Sequence, residues 1–282
     1  MANTAKSTAA LLRRSGLLRV QNEQRVGTFA PFRAMKLVSV GGGRQMTISI
    51  IVPVLDEGAL IREFLEHLRE CASGAEIILV HSADSEDVQE QTAGLADRVL
   101  ASARGRAMQM NAGAAVAGGD AFWFVHADCR VPHGCLNQIT RVLEDPQMMG
   151  GCFRISLPRR ELIYRVSDLG GNLAVELFGR CYGDHGIFCR REVFIAVGGY
   201  PDVPLLEDAE FYRRIRRRGR TRQLSSKIIT SPRRYEEIGP SRLTASYTLL
   251  SLLYVWHVPI PILAWIYDRL CLRADEPARL PN

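Results

Sequence analysis

From Thr47 onward the apolar residues fall into two alternating kinds of run. "TISIIVPV" (47–54) is short, β-branched and closed by a proline pair position, which predicts a buried strand. Behind Asp56, a favourable N-cap residue, Leu60, Ile61, Phe64, Leu65 and Leu68 recur at helical spacing. "EIILVHS" (76–82) predicts a second strand, Ser85 to Leu95 a polar helix, "RVLAS" (98–102) a third strand, Arg106 to Ala117 an Ala-rich helix and "AFWFVHA" (121–127) a fourth strand. This βαβαβαβ order predicts an α/β fold with a mostly parallel central sheet and helices on both faces. Beyond Pro132 the pattern loosens. "GGCFRISL" (150–157) reads as a strand and Leu162 to Phe178 as a long helix. "YGDHGIFCRREVF" reads as a glycine-punctuated turn into strand and helix. "PLLEDAEFYRRIRRRGR" reads as a helix that opens on two acids and stops at Gly219.

Residues 243–267 contain no Asp, Glu, Lys or Arg. Pro259 and Pro261 leave about 16 residues before the break, or about 24 Å, short of the ~30 Å a hydrocarbon core requires. A membrane span is therefore not expected. Two readings stay open: interfacial contact through aromatics such as Trp256 and Trp265, or a buried helix hairpin.

Charge changes the picture at the other end. Residues 1–45 carry eight Lys or Arg against Glu23 alone, so the head holds +7 of a total of +6 and the rest of the chain sums to −1. The basic balance thus says little about the body. The head lacks the apolar centre of a secretory signal and reads as a disordered, dispensable extension, a transit-like segment or the product of an upstream start with Met46 as the working one. The expected organisation is a basic extension (1–45), an α/β domain (46–235) and an apolar helical tail (236–282). "RRIRRRGR" lacks the aromatic interleaving that stacks bases, which argues against nucleic acid and leaves a solvated basic face suited to anionic lipid. Seven cysteines without a C-x-x-C point to reduced core thiols in a cytoplasmic setting and against zinc.

Candidate chemistry collects at the strand ends: Asp56 and Glu57 after the first strand, His81 and Asp84 after the second, His126 and Asp128 after the fourth. In parallel sheets ligands bind beyond those ends. A carboxylate there, with substrate phosphates, suits Mg²⁺ or Mn²⁺.

The set "IVPVLDE", "ASARGRAMQMNAGAAVAGGD", "FVHADCRVP", "YGDHGIFCRREVFIAVGGYP" and "PLLEDAEFYRRIRRRG", in this order and spacing, resembles glycosyltransferase family 2 over about residues 47–270. Within it the chain looks like the short bacterial branch of radical-SAM and selenoprotein-type gene neighbourhoods, the arsenosugar-biosynthesis or carotenoid-acid type. The resemblance implies a GT-A (nucleotide-diphospho-sugar transferase) fold and a hexosyltransferase-type, inverting reaction. It also implies a nucleotide-sugar donor, a small or lipid-like acceptor, a divalent cation, Mg²⁺ or Mn²⁺, and a place in the cytoplasm, at the inner face of the membrane if the tail attaches there. By the same resemblance Pro53, Asp56 and Glu57 line the nucleotide pocket, with His81, Asp84 and His126 around it. Arg106, Asn111 and Gly113 pack the helix beneath it. Asp128 is the metal ligand, and Gly183, Asp184, His185 and Gly186 shape the sugar and acceptor pocket. Asp208 is the base, kept ionised by the helix dipole, and Glu207 its neighbour. Two positions depart from the family pattern: His81 stands where an Asp usually holds the nucleobase, and His126 replaces the first acid of the D-x-D motif. Two rivals remain, a non-catalytic sugar-nucleotide binder and a sugar nucleotidyltransferase. The latter needs a lysine-bearing glycine loop that "VPVLDEGAL" lacks.

Overall fold

The computed structural model describes residues 46–54, 60–82, 88 and 92–271. Asp56, Glu57, Asp84, the basic head and most of the helix expected at Ser85 to Leu95 lie outside the described residues.

Four parallel strands form as the apolar runs predict: β1 (Ile48–Val54), β2 (Glu76–Ser82), β3 (Arg98–Ser102) and β4 (Ala121–Phe124). β2 pairs with β1 on one side and β4 pairs with it on the other, so the chain reverses direction across the sheet between β1 and β4. That is the switch point at which a crevice opens beyond the strand ends. Side-chain alternation sends Ile50, Val52 and Trp123 to one face, where helices α1 (Leu60–Cys71) and α3 (Cys135–Leu143) cover them. Ile51, Phe122 and Phe124 point to the other face, beneath α2 (Arg106–Val116), α5 (Arg191–Val197) and α6 (Glu207–Arg216). α2 lies very close to the sheet because position 113 is glycine: a Cβ there would stand 2.6 Å from Ile51 Cγ2 and 3.0 Å from Val80 Cγ2.

The second half of the sheet is mixed. β7 (Phe188–Arg190) runs antiparallel to β4 and to β6 (Met148–Ser156). β6 is parallel to β8 (Arg220–Thr230), and the two-residue β5 (Cys129–Arg130) closes the edge against β8. The sequence reading assigned no element to 220–230. Its Arg, Gln, Ser and Lys content hides an 11-residue strand whose burial only partly alternates.

The C-terminal region forms α7 (Arg233–Ile238), α8 (Pro240–Val255) and α9 (Ile260–Cys271). No helix among the described residues is long and apolar enough to cross a membrane. The hairpin reading holds for one face: Leu250, Tyr254, Leu263, Ala264 and Tyr267 pack together with Leu205 and Ala209 of the body. The opposite face does not close, and Trp256 remains 73% exposed. All seven cysteines are free and buried.

Candidate active site

β4 is sealed on both faces, so the chain leaving it carries His126 and Asp128 out at a rigid edge. His126 is buried and Asp128 exposed. Opposite them lies a 3₁₀ turn, Gly183–His185, that follows the long helix α4 (Leu162–Phe178). Asp184 of this turn sits 3.4 Å from His126 Nδ1. A third element brings Glu207 and Asp208. Leu206 adopts φ 63°, left-handed and rare for a branched residue, and this bend starts α6 with both acids buried.

Gly183 is the point where these pieces meet. A Cβ at that position would stand 2.4 Å from His126 Nε2 and 2.6 Å from Asp208 Oδ2, which puts those two atoms within about 5 Å of each other by the triangle inequality. Neither His126 Nε2 nor Asp208 Oδ1 has a hydrogen-bond partner among the described residues. Buried polar atoms left open in this way are costly unless a ligand or water completes them.

The electrostatics separate the acids. Burial pushes the Asp208 carboxyl up and neighbouring Glu207 pushes it further, to about 7 against the opposing pull of His126 and Arg106. The expectation that the helix dipole keeps this group ionised is thereby corrected, because burial outweighs a helix end. Burial would also raise Asp184, but the His126 hydrogen bond and the charges of His126 and Arg106 hold it below the usual carboxylate range. His126 moves the opposite way: burial lowers it, and Asp184 and Asp208 more than restore it, leaving it raised. At the first residue of α2, burial disfavours the Arg106 charge, but Glu207, Asp208, Asp184 and Asp128 together raise its pKa. Arg106 and Asp184 have solvent-exposed side chains yet are densely surrounded by protein, the combination found on the floor of a cleft.

Other expected site residues have different duties. Asn111 is consumed by structure: its Nδ2 donates to Tyr200 O and its Oδ1 accepts from Tyr200 N, both at 2.9 Å, which ties α2 to the loop before α6. His185 is fully buried, with Nδ1 2.9 Å from Phe153 O, so it anchors the turn from beneath instead of lining a sugar pocket. Its neighbours there are Cys152 and Cys181, and burial keeps the Cys181 thiol protonated by raising its pKa well above the ordinary value. Gly186, at φ 59°, fits under Ile228 and Trp123, and its carbonyl accepts from Trp123 Nε1 at 3.2 Å. Pro53 is buried within β1, one residue from its end. His81, at the end of β2, is buried with Nδ1 2.8 Å from Ser82 O. Arg106, His126, Asp128, Gly183, Asp184, Glu207 and Asp208 are the residues brought together.

Sequence reasoning missed Gln109. Fully buried, it donates from Nε2 to Val54 O at 2.5 Å and Val80 O at 3.0 Å, holding the ends of β1 and β2 in place below the crevice. Its signal was a polar residue on the buried side of an Ala-rich helix.

The glycosyl transferase family 2 profile matches residues 49–194. Among solved structures the chain is similar to the mannosyltransferase PcManGT from Pyrobaculum calidifontis in complex with GDP-Man and Mn²⁺, at 20% identity and TM-score 0.59, over 81% of this chain and 71% of that one. It is also similar to glucosyl-3-phosphoglycerate synthase from Mycobacterium tuberculosis in complex with Mn²⁺, UDP and glucosyl-3-phosphoglycerate, at 18% identity and TM-score 0.52, over 76% and 81%. The S. aureus TarS 1–349 structure in complex with UDP-GlcNAc follows at 14% identity and TM-score 0.51, over 80% and 71%. No curated protein matches the chain. The fold is GT-A, as the motif order implied.

Proposed function

The chain belongs to glycosyl transferase family 2, and we propose that it is an inverting, hexosyltransferase-type enzyme that moves a sugar from a nucleoside-diphosphate donor to a small or lipid-like acceptor. The observation that carries this reading is the divergence of two carboxylates in one cleft, Asp184 driven down and Asp208 driven up to about 7. Such divergence is how a site divides electrostatic from proton-transfer duties.

Asp208 takes the acceptor proton. The acceptor O–H bond breaks toward Asp208, the oxygen bonds to the anomeric carbon, and the bond from that carbon to the diphosphate breaks with its electron pair leaving on the diphosphate. Attack opposite the leaving group inverts the centre. A base with a pKa near the working pH is best matched to this transfer. Arg106, whose charge Glu207, Asp208, Asp184 and Asp128 favour, would supply the fixed cation a diphosphate needs. Glu207 raises Asp208 and so tunes the base. His126, held by Asp184, offers Nε2 as an open contact.

The donor set also fits a hard divalent cation: Asp128 is an exposed carboxylate, Asp184 another, and both act on Arg106. Asp128 would hold Mg²⁺ or Mn²⁺, and the ion would neutralise charge on the departing diphosphate. The GDP-Man and UDP-GlcNAc held by similar structures supply the donor panel. The motif order further supports placement in the radical-SAM-associated branch, the cysteines without a C-x-x-C support a cytoplasmic setting, and the uncharged 243–267 supports peripheral membrane contact, with the basic head and this tail behind the division at about 45 and 235.

The test is a thermal-shift and turnover screen of UDP- and GDP-sugars with and without Mn²⁺, on wild type and Asp128→Asn. Mn²⁺-dependent stabilisation by one donor class, lost in the variant while its metal-free melting temperature is kept, supports the reading. Unchanged Mn²⁺-dependent binding in Asp128→Asn removes the metal assignment, and binding without transfer to any acceptor favours the non-catalytic binder.

A further inference from the structure

Along α4, Leu162, Val166, Leu169, Leu173 and Leu177 recur at helical spacing, and all five are exposed, Leu162 by 76%. Only Tyr164 and Val175 of this 17-residue helix are fully buried. An apolar stripe of that length, about 25 Å, is more than a soluble surface carries without a partner. At its C-terminal end Phe178, also exposed, borders a cavity of ≈ 250 Å³ whose other walls include Arg180, Ala209, Arg213, Arg216, Arg217 and Tyr254.

The cavity is built for an anion. The Arg180 guanidinium lies 4.3 Å from the Tyr254 ring centroid, fixed by stacking. Arg216 folds over Gly179, where any Cβ would overlap its guanidinium, so the left-handed glycine at the end of α4 makes its room. Arg213 is paired with Glu210, and Glu210 also accepts from Tyr254 Oη. No acid among the described residues pairs with Arg180, Arg216 or Arg217. Complementation of a helix dipole accounts for cations in the last turn of α6 but not for Arg180, which comes from another segment. The volume falls below the roughly 300–1,000 Å³ of a whole small-molecule pocket and suits a headgroup.

Phe178 of α4 and the Tyr254 ring share the cavity wall with these cations, and exposed Leu177 immediately precedes Phe178. Planar guanidinium forks for phosphate oxygens, set between apolar and aromatic side chains, match the boundary of an anionic bilayer. We propose that this cavity is a phospholipid-headgroup site, with the α4 stripe lying in the acyl boundary, through which the protein docks on anionic membrane. The proposal rests on the peripheral, lipid-facing reading above and gives it a specific address. It places one face of α6 at the bilayer: Ala209 lines the cavity, and Asp208 beside it turns into the reaction cleft.

Flotation of the full-length protein with phosphatidylcholine vesicles, with and without phosphatidylglycerol, tests this at physiological salt. Arg180→Ala/Arg216→Ala should weaken partition to the anionic vesicles by about 30-fold, the loss of two lipid-facing cations. Arg62→Ala/Arg141→Ala removes the same charge from α1 and α3, which cover the sheet face opposite α6, and should change it by less than about threefold at a Debye length of ~8 Å. Leu169→Ser/Leu173→Ser should weaken binding to both vesicle types. Arg216→Ala alone, at an exposed position, keeps the test valid if the Arg180 variant misfolds. Equal partition of the Arg180/Arg216 variant and wild type, or an equal loss in the Arg62/Arg141 variant, overturns the site. Wild-type donor turnover without vesicles reads the glycosyltransferase assignment separately, so failure of either is distinguishable.

Discussion

Asp208→Asn should trade catalysis for stability, and the trade should depend on pH in a defined direction. The carboxyl titrates near 3.8 when unfolded and at about 7 in the folded chain. Below the unfolded value both states are protonated and the group contributes nothing. Between the two values the unfolded state loses its proton while the folded state keeps it, so folding stability falls as pH rises, and the cost is constant above the folded value. A gap of roughly 3 units at 1.36 kcal/mol each is about 4 kcal/mol. Asparagine keeps the size and cannot ionise, so the variant should escape this cost. At about 2–4 °C per kcal/mol for a body of this size, it should melt about 8–16 °C above wild type at pH 8 and nearly level with it at pH 4. The assay is thermal unfolding across pH in a chelator, which removes any cation that would stabilise the ionised form. In parallel, turnover on a hydroxyl acceptor should fall by about 10²–10⁴-fold, and wild-type kcat/KM should rise with pH through an apparent value near 7. A melting difference that is flat from pH 4 to pH 8 would refute the burial argument. Near-full turnover by Asp208→Asn on a hydroxyl acceptor would refute the base.

Gly183→Ala should drive a methyl into His126 and Asp208, costing about 1–3 kcal/mol of stability, and should lower turnover more than donor affinity; calorimetry with steady-state kinetics checks this, and wild-type values for both would show that the two side chains can move aside. Asn111→Ala should cost about 1–3 kcal/mol through the lost pair with Tyr200 and raise donor KM only indirectly, so an unchanged melting temperature would remove its role as a clip.

The strands β1, β2 and β4 were legible because each carries a continuous apolar run bounded by turn chemistry, and both sides of such a strand must be buried wherever it sits, whereas the half-exposed edge strand β3 was legible only from its place in the alternation. The positions of Asp128 beyond a strand end and of Asp208 at a helix start were legible from the sequence, since residues at strand ends and helix starts keep their place whatever packs around them. The β8 strand was not, because its exposure follows from lying near the sheet edge, which only strand order decides. Nor could the chain say that Asn111 would spend its amide on Tyr200, 89 positions away, or that His185 would turn inward while Asp184 turned out. The expectation for Asp208 failed for the same reason: a helix end is local and visible in sequence, whereas burial and the charge of neighbours depend on which surfaces close over the residue. The exposed leucines of α4 complete the contrast. Their spacing fixes a helix with an apolar face, but an apolar face predicts burial, and only the packed structure shows that this one is left uncovered beside four arginines.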